Sequence, residues 1–336
     1  MGETRTMRMA VVGCGGLGRL YVRNYTRMPH VNLVGVCDIQ PELANPVADI
    51  GETTAFTSFD EMVAKVKPDV VSVCLPTHLH KAFVVKAASL GIHVICEKPA
   101  ASSLADAQEM IETCRQHGVR LFIAHVVRFF PSYRDIKRNV DAGVIGSLGL
   151  IHTKRFGTYP GGWYADPVKS GGVIMDLLIH DIDYVRGLAG DVSTVFAMGR
   201  RTENKDYALV TLRFNNGVIA NLEGHWGYPG PFTTAIEATG RKGMIRFHTG
   251  EASPLKIWKN TNPPTAGYQN VSIHESPAVH DPYYEELLHF IECIQQGKEA
   301  IVTAEDGLKA MEVAMAAIES IRSGMPVQLE ERGSGT

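Results

Sequence analysis

Asp176 and His180 stand four residues apart in the apolar run Val173-Ile174-Met175-Asp176-Leu177-Leu178-Ile179-His180, a spacing that puts both on one face of a helix. Charge in such a run is costly unless it is used or paired, and an imidazole beside a carboxylate is equipped to move protons near neutrality. Lys98 lies in Glu97-Lys98-Pro99, directly after the apolar run 92–96. A lysine there could hydrogen-bond a reacting hydroxyl or carbonyl. A second polar segment, Leu75-Pro76-Thr77-His78-Leu79-His80, follows the apolar run 70–75. The aromatic segment Tyr159-Pro160-Gly161-Gly162-Trp163-Tyr164 reads as a loop whose ring faces suit the apolar side of a sugar.

A glycine pattern shows what such groups would work with. Met9-Ala10-Val11-Val12 breaks into Gly13-Cys14-Gly15-Gly16-Leu17-Gly18, and Asp38 closes a second apolar run twenty residues after Gly18. This is a dinucleotide-binding signature: Gly13 permits the turn, Gly15 lets the backbone approach a pyrophosphate, and Gly18 lets the next helix pack on the sheet. The anion then meets unpaired amides at the helix N-terminus, which include those of Gly16 and Leu17. Asp38 can accept both hydroxyls of an adenosine ribose and would repel a 2′-phosphate; Ile39 follows it where Arg or Ser would serve one. The expected cofactor is NAD, in preference to NADP.

The elements that must hold these groups are legible. Strand-like runs at 8–13, 31–37, 70–75, 92–96 and 119–125 alternate with helical patterns around 17–28, 79–90 and 103–117, which predicts a doubly wound parallel sheet. Ligands in such sheets bind beyond the carboxyl ends of the strands, next to residues 75 and 96. From about residue 126 the texture turns to β-rich segments, Leu148–Phe156, Thr194–Arg200, Tyr207–Phe214, Gly217–Gly224, Thr233–Ala238 and Gly243–His248, with a hairpin signal at Asn215-Asn216-Gly217. A helix over Leu177–Leu188, a polar loop Asn260–Gly267, helices over 282–296 and 304–323 and a polar tail Glu330–Thr336 complete the reading. The predicted fold is α/β: a Rossmann domain over residues 1–125, then an α+β domain with a large, mostly antiparallel open sheet over 126–336.

Composition narrows the class. The 336 residues are 45% hydrophobic and 21% charged with a net charge of −3, ordinary for a globular protein and no match for a polyanion, so nucleic acid is not expected. Six cysteines, at 14, 37, 74, 96, 114 and 293, form no CxxC pair and read as small core residues of a reducing compartment. No run approaches a membrane span and Met1–Arg8 lacks an apolar leader stretch, so a cytoplasmic protein is expected.

The ordered set, from Gly13-x-Gly15-x-x-Gly18 through His80, Glu97-Lys98-Pro99, Arg128-Phe129 and Ser170-Gly171-Gly172 to Asp176-x-x-x-His180, resembles the glucose-fructose oxidoreductase/inositol dehydrogenase family over nearly the whole chain. The resemblance implies Lys98, Asp176 and His180 as the catalytic group, and a homodimer or homotetramer. His180 is similar to the dehydrogenase branch; the glucose-fructose oxidoreductase branch carries tyrosine there. It further implies cofactor contacts from Leu75, Pro76, Thr77, His80, Glu97, Lys98 and Arg128, and substrate contacts from Lys98, Trp163, Tyr164, Asp176 and His180. Leu75-Pro76-Thr77 departs from the family's Thr-Pro-Asn, and Tyr164 stands where arginine is frequent.

On this reading a secondary alcohol of a sugar or cyclitol, inositol-like first, gives up its proton to His180 and a hydride to the nicotinamide. Rival readings are a glycosidase that uses tightly bound NAD transiently, a metal-dependent hydrolase built on His78-x-His80 and His180-Asp181, and a non-catalytic sensor. No metal is expected, since no spaced His and Asp set completes one.

Overall fold

The computed structural model describes residues 5–251, 255–259, 270–271 and 281–329. The loop expected over Asn260–Gly267 and the tail Glu330–Thr336 lie outside the described residues. The chain forms two compact units, one of Met1–Phe129 with His280–Leu308 and one of Phe130–Val279 with Lys309–Thr336.

In the first unit β1 (Met7–Val12), α1 (Gly16–Tyr25), β2 (Val31–Cys37), α2 (Pro41–Gly51), β3 (Ala55–Phe56), α3 (Phe59–Val66), β4 (Val70–Val73), α4 (His80–Ser89), β5 (His93–Glu97), α5 (Leu104–Gln116) and β6 (Leu121–Ala124) follow in turn. The strands form one parallel sheet in the order β3-β2-β1-β4-β5-β6. Every residue of β4 and β6 is buried, because helices cover both faces of such a sheet and its strands read as continuous apolar runs. Ser58 and Ser103 cap α3 and α5, each Oγ accepting from the amide three residues on. The sequence reading names neither α2 nor α3. Pro46 inside α2 and the eight-residue length of α3 weaken their periodicity.

The second unit runs through α6 (Pro131–Asp141), β7 (Leu148–Gly157), α7 (Pro167–Ser170), α8 (Ile179–Ala189), β8 (Val192–Thr202), β9 (Lys205–Phe214), β10 (Ile219–Trp226), β11 (Thr233–Gly240), β12 (Gly243–His248), β13 (Leu255–Lys259) and β14 (Asn270–Val271). After α9 (Pro282–Gln296) and α10 (Ala304–Ser323) the chain ends its described part with β15 (Val327–Gln328). The sheet order is β14-β13-β12-β11-β7-β10-β9-β8-β15. All pairs are antiparallel except β7 with β10. The hairpin signal at Asn215-Asn216-Gly217 joins β9 to β10. Gly217 takes φ +86° there and Asn216 Oδ1 accepts from Val218 N at 3.2 Å. Along β10 the buried residues alternate, Ala220, Leu222, Gly224 and Trp226, the period-two pattern of a sheet with one covered face.

Residues 280–308, placed with the second domain by chain order in the sequence reading, pack with the first unit. The cause is the apolar face of α9. Phe290 is fully buried with its ring stacked on Phe122 at 4.7 Å, and Leu287 and Ile291 join the same core as Met9, Tyr21, Val22 and Ile95. At the N-terminus of α9, Asp281 caps Tyr283 and Tyr284 and accepts from Asn24 Nδ2 at 3.3 Å, while Arg27 lies over the Tyr284 ring. The Phe290→Ala variant is expected to lose about 3–5 kcal/mol of stability in denaturant titration, and a loss below about 1 kcal/mol would show that α9 is not part of this core.

Candidate active site

In the first unit the glycine turn is shaped by close approach. Gly13 takes φ +91°, and a Cβ there would overlap the Cys74 carbonyl oxygen; a Cβ on Gly18 would overlap the carbonyl oxygen of Gly13. Gly15 and Gly16 differ: both are exposed and no atom lies within 4 Å of where their Cβ atoms would stand. No side chain caps α1 at Gly15 and no acid occupies its first turn. Its amides and the positive end of its dipole therefore face the open side of the turn.

Asp38 closes β2 beside that turn. Its Oδ2 accepts from Cys14 N at 2.9 Å and its Oδ1 from Gln40 N at 3.0 Å, which orients the carboxylate and leaves each oxygen a further lone pair. Amides for a pyrophosphate and an oriented carboxylate for a ribose diol fit a dinucleotide. The neighbouring thiols are chemically quiet. Burial, with Asp38 adding to it, pushes Cys14 up to about 12 and Cys37 up to about 11; burial also raises Cys74 and Cys96.

Leu75 and Pro76 are half-buried and Thr77 buried. Glu97 is buried at the end of β5; its Oε1 accepts from Tyr21 OH at 2.7 Å and its Oε2 from Lys98 N at 3.2 Å. Burial and this carboxylate hold the Tyr21 phenol well above its ordinary range. Lys98 is half-buried, and its bond to Pro99 is cis.

Two of the expected cofactor contacts, His80 and Arg128, have partners within the protein. The His80 ring is 1% exposed, with Nε2 2.8 Å from Leu75 O and Nδ1 2.9 Å from Pro99 O and 3.3 Å from Ala100 O, so it lies inside the fold at the start of helix α4. Arg128 Nη1 donates to Ile301 O at 3.0 Å and lies 3.6 Å from Asp306, an anchor to the returning segment. His78 is exposed while His80 is buried, so the two do not make the metal pair that their spacing suggests. Among the described residues no group of three or more His, Cys, Asp and Glu side chains is placed to hold a metal.

In the second unit the expected helix over Leu177–Leu188 starts earlier and differently. Ile174–Leu178 is a π-helical turn that carries Asp176, and α8 follows with His180 as its second residue. Single π turns recur at functional sites. Asp176 and His180 are both half-buried within a run of otherwise buried neighbours, which makes them the accessible polar pair of that segment. Glycine again sets the approach. Gly171 and Gly172 take φ +71° and +70°; Asp206 accepts from Val173 N at 3.1 Å and pairs with Arg201, and a Cβ on Gly172 would run into that pair. On β10 a Cβ at Gly224 would lie 2.6 Å from Leu178 Cγ.

Next to His180 in the chain, Asp181 is 1% exposed and takes Arg155 Nε at 2.5 Å and Nη2 at 3.4 Å. Burial opposes the Arg155 charge, yet Asp181 beside it holds the guanidinium above its ordinary value. The His180-Asp181 doublet is therefore split: Asp181 serves a buried ion pair. Sequence reasoning missed Arg155, Arg201 and Asp206: the partner of Arg155 lies 26 residues away on a helix, and Arg201 and Asp206 meet across the β8–β9 hairpin. Trp163 and Tyr164 sit on a 3-10 turn, their rings stacked on each other at 3.9 Å.

Comparison with known proteins agrees over both parts of the chain. Residues 7–125 match the model of an oxidoreductase family, NAD-binding Rossmann fold, and residues 137–329 match that family's C-terminal alpha/beta domain. The scyllo-inositol 2-dehydrogenase (NAD(+)) of Bacillus subtilis (strain 168) is 32% identical over 342 residues, 98% of each chain. A 2,7-anhydro-N-acetylneuraminate hydratase of Escherichia coli (strain K12) is 32% identical over 265 residues, 75% of this chain and 70% of that one. The solved structure of GenD2 from gentamicin A biosynthesis in complex with NAD superposes with a TM-score of 0.87 at 20% identity, covering 98% of both, a likeness of fold.

Two outcomes test this geometry. Gly15→Ala is expected to leave the melting temperature unchanged and weaken NAD binding at least about tenfold, whereas Gly18→Ala lowers both, read by calorimetry. Asp181→Asn is expected to cost about 3–5 kcal/mol by stranding the Arg155 charge, and the double variant Arg155→Met, Asp181→Leu to recover most of it; equal losses in both would refute the stranded-charge account.

Proposed function

The chain belongs to the oxidoreductase family with an NAD-binding Rossmann fold and a C-terminal alpha/beta domain, and from that premise we propose that it is an NAD-dependent dehydrogenase acting on a secondary alcohol of a sugar or cyclitol. The observation that carries the reading is Asp38, whose carboxylate is held beside the open glycine turn by Cys14 N. That placement favours a ribose diol over a 2′-phosphate and supports NAD in preference to NADP.

Gly13, Gly15, Gly16, Leu17, Gly18 and Asp38 would hold the cofactor, with the segments Leu75–Thr77 and Glu97–Lys98 at the strand ends beyond. When bound, NAD supplies the hydride acceptor. His180 takes the hydroxyl proton as general base, a role worth roughly 10²–10⁴ in rate. Asp176 orients the imidazole and stabilises its cation. Lys98 stabilises the negative charge that develops on the substrate oxygen. The rings of Trp163 and Tyr164 offer an apolar platform to one face of a sugar. An inositol-type cyclitol is the first substrate to try, supported by the inositol dehydrogenase relative. A homodimer or homotetramer in the cytoplasm is part of the same proposal.

The hydratase relative supports a second reading, in which the same groups serve a reaction without net NADH formation. Among the described residues no helix is long and apolar enough to cross a membrane.

The purified protein is to be mixed with NAD and a panel of cyclitols, free sugars and nucleotide sugars while NADH absorbance is followed. Steady growth with one class is expected; NAD binding with product formed and no NADH would establish the second reading. With the active substrate, His180→Ala and Lys98→Met are each expected to lower kcat by at least about 10²-fold with NAD affinity within about twofold. Turnover preserved within a few fold in both variants would overturn the assignment of these residues.

A further inference from the structure

The backbone that carries Lys98 is held on both sides. On its N-terminal side Glu97, itself bonded to Tyr21 OH at 2.7 Å, accepts from Lys98 N at 3.2 Å. On its C-terminal side lie the carbonyl oxygens of Pro99 and Ala100, 2.9 and 3.3 Å from His80 Nδ1. Pro99 has no amide hydrogen to offer a neighbour. On that side the His80 ring meets the backbone of the segment.

The remaining ring nitrogen, Nε2, faces Leu75 O at 2.8 Å. All three oxygens are acceptors, and a neutral imidazole carries one N–H. Burial, with the Lys98 cation adding to it, pushes His80 toward that neutral form against the pull of the carbonyls. One proton must then choose between a pair of oxygens at Nδ1 and a single oxygen at Nε2.

We infer that His80 is a positioning residue for Lys98, its Nδ1–H shared between the Pro99 and Ala100 carbonyls so that the segment after β5 cannot shift relative to the start of α4. The inference rests on the reading of Lys98 as the group that acts on the substrate oxygen. The cost of misplacement is large in such sites, because a catalytic group must be held close to its productive geometry. A histidine serves here where a hydroxyl would not, since the ring spans from the first residue of α4 to two successive carbonyls.

Asparagine places an amide donor near the position of Nδ1 and glutamine places one near Nε2, so the two variants separate the two sides of the ring. His80→Asn, His80→Gln and His80→Leu are compared with the parent protein in three measurements: melting temperature, NAD affinity by calorimetry, and the rate at which an N-hydroxysuccinimide ester acylates Lys98, read by peptide mass spectrometry against Lys137. His80→Asn is expected to keep the Lys98 rate within about twofold of the parent. His80→Gln and His80→Leu are expected to change it by about threefold or more, the scale of one buried hydrogen bond, and to lower turnover of the active alcohol in step. Rescue by glutamine and not asparagine would overturn the inference in favour of an anchor for the segment at Leu75. Equal behaviour of all three variants, or a change in melting temperature alone, would reduce His80 to a core residue. A parent protein that fails to bind NAD would refute the dehydrogenase reading, and the asparagine–glutamine split at Lys98 would still decide the role of His80.

Discussion

The turn from β1 into α1 exists because Gly18 has no side chain: any Cβ there would overlap the carbonyl oxygen of Gly13. That contact brings the first turn of α1 directly against the end of β1. It aims the uncapped amides of α1 at open space beside Gly15 and Gly16. Asp38 then locks onto the same turn through Cys14 N, so the end of β2 is registered to the end of β1 by a charge-assisted bond. Gly13 N adds a bond to Cys37 O at 2.8 Å, and Cys74 N one to Val12 O at 2.8 Å. Three strand ends are thus tied into one rim before any ligand arrives. The returning helix α9 supports this arrangement from behind, since Tyr283 and Asp281 pack on Tyr21 and Asn24 of α1.

The second unit uses the same economy of side chains. Two successive left-handed glycines let the segment before Asp176 fold against the Arg201–Asp206 pair, and Gly224 on β10 leaves a hollow for Leu178. Asp176 and His180 are the half-buried polar residues of this otherwise buried run. The π turn matters for the same reason: it widens the helix by one residue where Asp176 stands, and then α8 resumes regular geometry at His180.

Two buried carboxylates next to the candidate residues are held by named partners. Arg155 and Asp181 satisfy each other under α8, and Glu97 is bonded to Tyr21 OH and Lys98 N. Of these, the Arg155–Asp181 ion pair contributes little net stability when intact and costs much when halved. Their value here is position: each stands next in sequence to a proposed catalytic residue, Asp181 beside His180 and Glu97 beside Lys98. Fixing a neighbour's backbone fixes where the reactive side chain begins. The cysteines around the rim are the complementary case, small groups kept protonated by burial so that they fill space without chemistry.

The parallel sheet, the glycine turn, Asp38 and the hairpin at Gly217 were written locally, because strand alternation, a positive φ and a helix N-terminus each depend on a few adjacent residues. Lys98, Asp176 and His180 were picked out as candidates only by their combination along the chain, since each alone reads as an ordinary surface or core residue. What one-dimensional spacing could not contain were the partners. The three carbonyls around the His80 ring and the Ile301 carbonyl that Arg128 reaches are partners the spacing did not announce. Asp181 reads as half of a His-Asp doublet until Arg155 arrives from β7. Residues 280–308 read as part of the second domain until Phe290 stacks on Phe122. Most of these are contacts between residues far apart in the chain, and the choice among such contacts is made by packing and by the need to satisfy buried polar groups, quantities that exist only after the chain has folded.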